Sequence, residues 1–62
     1  MYMYIEYVTS NGEFDTTLSL FDKNTTKLAL NFIKNREVGY IEVDKKHYSL
    51  DDAINHLMNK LS

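Results

Sequence analysis

The chain has no cysteine, no proline and only two glycines among its 62 residues. A domain of this size buries only about 60% of the surface that its unfolded chain exposes, so marginal stability is expected. Disulfides are excluded without cysteine, and two histidines are too few for most structural zinc sites. Self-association or binding to a larger partner is therefore the expected source of further stability.

Long hydrophobic runs are also missing. Nowhere do about 18 apolar residues follow one another, and residues 1–8 lack the basic and apolar regions of a signal peptide. The composition, 44% hydrophobic and 26% charged, is typical of a folded globular domain. We therefore expect one small domain over residues 1–62, located in the cytoplasm and without a membrane-spanning segment.

The chain has no excess of positive charge. Seven Lys and Arg residues stand against nine Asp and Glu residues, and the longest basic run is Lys45-Lys46. Nonspecific affinity for phosphate comes from clustered basic residues, so this balance argues against nucleic acid as the main partner. Nine scattered carboxylates are also fewer than a protein that imitates the charge of DNA is expected to carry.

The first twenty residues have the pattern of a β-hairpin. Two alternating stretches, residues 1–8 and 13–20, flank Asn11-Gly12. Asn-Gly supplies the two positive-φ positions of a type I′ turn and is the strongest short-range hairpin signal. Alternation places two sets on opposite faces of the first strand: Met3, Ile5 and Tyr7 on one, and Tyr2, Tyr4 and Glu6 on the other.

A first helix is predicted from about Lys23 to Asn35, with Asp22 or Asn24 as its N-cap. Leu30 widens its apolar arc to roughly 200°, which is more than packing on one sheet requires. Either the helix lies deep in a small core, or the Leu30 edge contacts another subunit. The main apolar stripe consists of Leu28, Ala29, Phe32 and Ile33.

The second half of the chain repeats this order of elements. A strand over Glu37–Val43, a tight turn and a short strand at His47-Tyr48 precede a helix over Leu50–Leu61. Ser49 provides the hydroxyl of an N-cap, and two carboxylates follow it in the first turn. The apolar positions of this helix follow helical spacing: Leu50, Ala53, Ile54, Leu57, Met58 and Leu61.

The predicted fold is a small two-layer α+β domain of order ββαββα. An antiparallel sheet of three to four strands is covered on one face by two helices. The pattern of apolar and polar residues does not determine the order of the strands in the sheet. A faint internal repeat, in which Tyr4-Ile5-Glu6 recurs as Tyr40-Ile41-Glu42, is a hint of topology and not evidence of duplication.

No group of residues has the spacing of a catalytic or metal site. His47 and His56 each lack a second strong ligand, and His56 is expected to be a solvated residue on the polar face of the last helix. Asp51-Asp52 already has a structural role at a helix N-terminus. Neither glycine belongs to a phosphate-binding loop. We therefore expect no enzymatic activity, no metal and no cofactor.

The sheet face turned away from the helices is the predicted binding surface. Tyrosine combines a large rigid apolar area with a hydroxyl, and it is frequent at the centres of interfaces. The structural alternative is that β-strands simply favour aromatic residues. This face is expected to carry Val38 and Asp15, and the predicted partner-binding residues are Tyr2, Tyr4, Tyr40, Glu6, Glu42 and, on the first helix, Leu30.

The predicted function is that of a non-catalytic protein-interaction module, acting as a homodimer. Small acidic domains of this kind occur, by analogy, among the inhibitors and adaptors of phages and other mobile elements. The alternative is a small regulator that binds nucleic acid through a basic stripe on the first helix. The residues of that stripe are Lys23, Lys27, Lys34 and Arg36.

Overall fold

The computed structural model describes the chain from Met1 to Ser62 as four strands and two helices in the order ββαββα. The predicted α+β class and element order are confirmed. The elements are β1 (Tyr2–Thr9), β2 (Gly12–Ser19), α1 (Lys23–Lys34), β3 (Glu37–Val43), β4 (Lys46–Tyr48) and α2 (Leu50–Leu61).

All four strands form one antiparallel sheet in the order β2-β1-β3-β4. The central strands β1 and β3 are not joined by a hairpin, and α1 lies between them in the chain. α1 packs over β2, whereas α2 packs over β3 and β4, and the two helices contact each other. Neither helix has the length and hydrophobicity needed to cross a lipid bilayer.

One apolar core lies between the sheet and the helices. Met3 and Ile5 on β1 have no exposed surface, and Ile41 on β3 is almost fully buried beside them. Thr26 is the buried polar residue of this layer, and its hydroxyl donates to the carbonyl oxygen of Asp22 at 2.7 Å. The helices contribute Ala29, Ile33, Ala53 and Leu57.

Both helices begin at a side chain that accepts a backbone hydrogen bond. Asp22 accepts from the N–H of Thr25 at 2.8 Å, and the Thr25 hydroxyl accepts from the N–H of Asp22, so Asp22 and not Asn24 is the N-cap. The Ser49 hydroxyl accepts from the N–H of Asp52 at 3.2 Å. The predicted start of α2 is therefore confirmed.

The two hairpin turns differ from each other in backbone conformation. The first hairpin is confirmed, but its predicted type I′ turn is wrong, because Asn11 does not have positive φ and only Gly12, at +124°, does. The Asn11 N–H instead donates to the Thr9 hydroxyl at 3.1 Å. Positive φ occurs at two non-glycine residues of the β3–β4 turn, Asp44 and Lys45.

The predicted apolar stripe of α1 is wrong at Leu28. This side chain is 67% exposed, whereas Leu30 is half-buried and packs against the core. The apolar arc of α1 therefore has one edge, at Leu30, packed against the core. Its other edge, at Leu28, lies in solvent. Of the two alternatives for Leu30, the packing supports a place in the core.

A register shift in β3 changes the face on which Val38 lies. Tyr40 is opposite Glu6, but Val38 is opposite Tyr7, so Gly39 is the extra residue of a bulge between them. Simple alternation placed Val38 on the uncovered face, and this prediction is wrong. Val38 is half-buried and packs against the core cluster.

His56 on α2 is not the solvated residue that its polar neighbours predicted. It is half-buried, and its ring packs edge-on against the ring of Tyr48 with 5.4 Å between centroids. Its Nε2 atom is buried and has no hydrogen-bond partner. Met58, assigned to the apolar stripe of α2, is instead 51% exposed.

Candidate functional site

The sheet leaves one of its faces uncovered, and we call this the open face. Residues opposite each other in an antiparallel pair lie on the same face. Tyr4 lies opposite Thr17 and Glu42, while Glu6 lies opposite Asp15 and Tyr40, so all of these side chains point away from the helices.

The open face is acidic. Five of the nine Asp and Glu residues of the chain lie on it, and no strand residue there is Lys or Arg. Such a concentration of one charge creates a negative potential that attracts cationic groups. The five carboxylates are those of Glu6, Glu13, Asp15, Glu37 and Glu42.

Four residues at the centre of this face form what we call the quartet: Tyr4, Glu6, Tyr40 and Glu42. The two copies of the Tyr-Ile-Glu repeat pair directly with each other, antiparallel and in register, with Ile5 opposite Ile41. The Tyr4 hydroxyl donates to Oε2 of Glu6 at 2.8 Å, and the Tyr40 hydroxyl donates to Oε2 of Glu42. The faint repeat in the sequence thus becomes an approximately two-fold symmetric cluster.

The quartet holds its tyrosines in the protonated form. The hydrogen bond to Glu6, together with desolvation and the negative charges of Glu6 and Asp15, raises the pKa of Tyr4 well above its usual value. The hydrogen bond to Glu42, with desolvation and nearby negative charge, likewise raises the pKa of Tyr40. Both hydroxyls therefore stay neutral and orient the carboxylates beside them.

A row of rings crosses three strands of the open face. Tyr4 and Tyr40 have centroids 6.3 Å apart, and the imidazole of His47 stacks on Tyr40 at 5.1 Å with 14° between the planes. Sequence reasoning assigned no role to His47. The signal that could have found it is the short β3–β4 hairpin, whose register puts His47 opposite Glu42.

An open depression of about 370 Å³ adjoins the quartet. Tyr4 lines it together with three acidic residues, Glu6, Glu13 and Asp15. Phe14 also borders it, although its ring stacks on Tyr7 on the helix-facing side of β2. The Tyr4 hydroxyl also donates to Asp15 Oδ2 at 3.2 Å, so the acidic side of the depression contacts the quartet directly. Aromatic faces beside carboxylates form a suitable environment for the end of a Lys or Arg side chain.

The structure brings four of the predicted partner-binding residues together, namely those of the quartet. Tyr2 lies on the same face but packs edge-on against Phe21, with 5.1 Å between centroids. Leu30 is on α1, on the other side of the sheet, and does not belong to this surface.

The predicted basic stripe is present in part. At about 100° per residue, Lys23, Lys27 and Lys34 lie within about 40° of one another on the exposed side of α1. Arg36 does not extend this row, because its guanidinium lies over the ring of Phe32 at 3.9 Å from the centroid. The same guanidinium is 6.0 Å from the ring of Tyr7.

No group of three or more His, Asp or Glu side chains is placed to hold a metal ion. Comparisons with family models, curated proteins and solved structures found no significant match to this chain. The geometry of the open face is therefore the main indication of what this protein does.

Proposed function

We propose that this protein is a non-catalytic interaction module, a small inhibitor or adaptor that binds a basic surface of another protein through its open face. The observation that carries the proposal is the quartet beside the acidic depression. There, the hydrogen-bonded Tyr4–Glu6 pair and two further acidic residues, Glu13 and Asp15, line a space large enough for a cationic side chain. The second pair, Tyr40–Glu42, lies opposite the first on β3.

The chemistry of the face favours a cationic partner over an apolar one. Tyrosine rings contribute apolar contact area and attract cations to their faces, while carboxylates make charge-assisted hydrogen bonds with guanidinium and ammonium groups. Because the Tyr4 and Tyr40 hydroxyls already fix Glu6 and Glu42, fewer side chains have to be ordered on binding. We place the protein in the cytoplasm, with which a cysteine-free chain is compatible.

The experiment is affinity capture by tagged protein from host lysate, with bound species identified by mass spectrometry. The wild type and the double variant Tyr4→Ser, Tyr40→Ser are compared after nuclease treatment. We expect a stoichiometric basic protein with the wild type and its loss with the variant, whose helical circular dichroism should be retained. Equal recovery by both proteins would contradict the role of the open face.

One observation favours a second candidate function, binding to nucleic acid. Lys23, Lys27 and Lys34 share one exposed face of α1, on the opposite side of the molecule from the acidic sheet face. This candidate predicts that capture disappears on nuclease treatment and in the variant Lys27→Gln, Lys34→Gln. The quartet variant would then bind as well as the wild type.

A further inference from the structure

The outer edge of β2 has no partner strand within the chain. β2 is the terminal strand of the order β2-β1-β3-β4 and runs for eight residues without proline or lysine. Its pairing with β1 has no register shift. Long, regular edges of this kind pair readily with another strand, and natural proteins usually interrupt them when pairing is to be avoided. The opposite edge, β4, has only three residues.

The backbone groups that point outward from this edge can be identified. The Leu20 N–H donates to the Met1 carbonyl oxygen at 3.0 Å, so the even-numbered residues of β2 bond to β1. Because hydrogen-bonded and non-hydrogen-bonded positions alternate in antiparallel pairs, the odd-numbered residues present their N–H and C=O groups outward. These residues are Glu13, Asp15, Thr17 and Ser19.

We propose that a second copy of this chain covers the edge, with the two β2 strands antiparallel about a two-fold axis at Thr16. In this register Asp15 lies opposite the partner's Thr17, and Glu13 lies opposite the partner's Ser19. Each carboxylate then faces a hydroxyl, and each of these pairs exchanges both of its backbone hydrogen bonds. A register centred on Asp15 would put two carboxylates directly opposite each other, which is destabilising.

The helix-facing side of β2 fits the same register. Phe14, which is 46% exposed in the single chain, lies opposite the partner's Leu18 and gains an apolar neighbour. A register centred on Thr17 would put Phe14 opposite the partner's Leu20, which lies beyond the end of β2 and is already buried in the core of its own chain. The register centred on Thr16 instead pairs Phe14 with Leu18, an apolar side chain that is still partly exposed.

The exposed leucine of α1 lies on the flank where the second copy would be. Lys60 of α2 lines one groove with Lys23 and Thr26, so α2 lies on the Thr26 side of α1. Leu28 is about 200° around the helix from Thr26 and therefore lies on the flank away from α2, toward the β2 edge. A two-fold axis perpendicular to the sheet keeps both helical layers on one side, so the two 67%-exposed Leu28 side chains approach each other.

The resulting dimer has a continuous eight-stranded sheet, with both open faces on the same side. This dimer gives a specific interface to the homodimer that the sequence predicts, and it does not rest on the binding of a basic partner. Partner capture by the open face does not enter the test, which uses purified protein with an intact quartet. Failure of the dimer would therefore leave recognition of a basic partner as a separate question.

The first test is the cross-linking of Thr16→Cys. Residues at a non-hydrogen-bonded position of an antiparallel pair have Cα atoms about 4.5 Å apart, which is within disulfide range. The natural chain has no cysteine, so the new thiol can pair only with its symmetry mate. Mild oxidation is expected to yield a covalent dimer, whereas the control Thr9→Cys, at the hairpin end, should remain uncross-linked.

The second test is Thr17→Pro, measured with the wild type by sedimentation equilibrium. Proline removes an outward-pointing N–H and is tolerated on an edge strand, so circular dichroism should be unchanged. One lost hydrogen bond in each subunit should weaken association by about thirtyfold. A monomeric wild type, unchanged association of Thr17→Pro, or equal cross-linking of Thr9→Cys and Thr16→Cys would each overturn the proposal. If Thr17→Pro does not fold, the cross-linking of Thr16→Cys compared with that of Thr9→Cys decides whether the dimer forms.

Discussion

The β3–β4 turn holds two residues in a conformation that most amino acids disfavour. Asp44 has φ 50° and Lys45 has φ 69°. A side chain in the left-handed region costs about 1–2 kcal/mol, whereas glycine avoids that cost but loses about 0.5–1 kcal/mol through greater backbone freedom in the unfolded chain. Lys45→Gly is therefore predicted to raise the free energy of unfolding by about 0.5–1 kcal/mol.

The assay is urea unfolding followed by circular dichroism, with thermal unfolding as a second measurement at the same protein concentration. For a domain of this size the gain corresponds to a rise in Tm of about 2–8 °C. The matched control is Lys45→Ala, which removes the same charged side chain but keeps a Cβ atom. It should stay within about 0.5 kcal/mol of the wild type.

A second control separates backbone strain from side-chain contacts. Asp44 also has positive φ, but its Oδ1 accepts the N–H of Tyr2 at 3.1 Å, and Asp44→Gly loses this hydrogen bond. Asp44→Gly should therefore gain less stability than Lys45→Gly. If Lys45→Gly is no more stable than Lys45→Ala, the predicted stability cost of left-handed φ at this turn is refuted.

The remaining predictions concern the quartet, a helix cap and the two edges of α1. Because the raised pKa values of Tyr4 and Tyr40 keep these groups protonated in the folded state, stability should be retained below pH 10.0 and lost as pH rises above it. Tyrosinate absorbance should show two late-ionising groups that disappear in the variant Tyr4→Phe, Tyr40→Phe, and simultaneous ionisation of all the tyrosines before unfolding would contradict this. Ser49→Ala should cost about 1 kcal/mol in urea unfolding, and an unchanged midpoint would contradict the cap. At dilutions where the protein is monomeric, Leu30→Ala should lower the free energy of unfolding clearly more than Leu28→Ala, whose side chain is exposed in the single chain, and equal losses would contradict the packing described.

The parts of the fold that could be predicted are those determined by near neighbours in the chain. Asn11-Gly12 indicates a hairpin, and Ser49 followed by carboxylates indicates the start of a helix. The order of the strands could not be predicted, because the pairing of β1 with β3 joins residues 29 to 40 positions apart. The bulge at Gly39 also depends on that pairing, so alternation alone gave the wrong face for Val38.

In the candidate site, too, features within one strand could be predicted, whereas contacts between distant strands could not. Alternation correctly placed Tyr4 and Glu6 on one face of β1, and Tyr40 and Glu42 on one face of β3. Their assembly into one cluster depends on the β1–β3 register, which the sequence does not encode locally. The stacking of His47 on Tyr40 depends on the register of the β3–β4 hairpin, which the predicted two-residue strand at His47-Tyr48 did not specify.

The central claim is that the open face recognises a basic protein partner. The most direct measurement is quantitative capture from nuclease-treated lysate by two variants that remove equal numbers of charges of opposite sign. Glu6→Gln, Glu42→Gln neutralises the quartet, whereas Lys27→Gln, Lys34→Gln neutralises the exposed side of α1. The account predicts that the quartet variant loses the wild-type partner and the lysine variant retains it. Retention by the quartet variant with loss by the lysine variant would contradict the account and assign binding to α1.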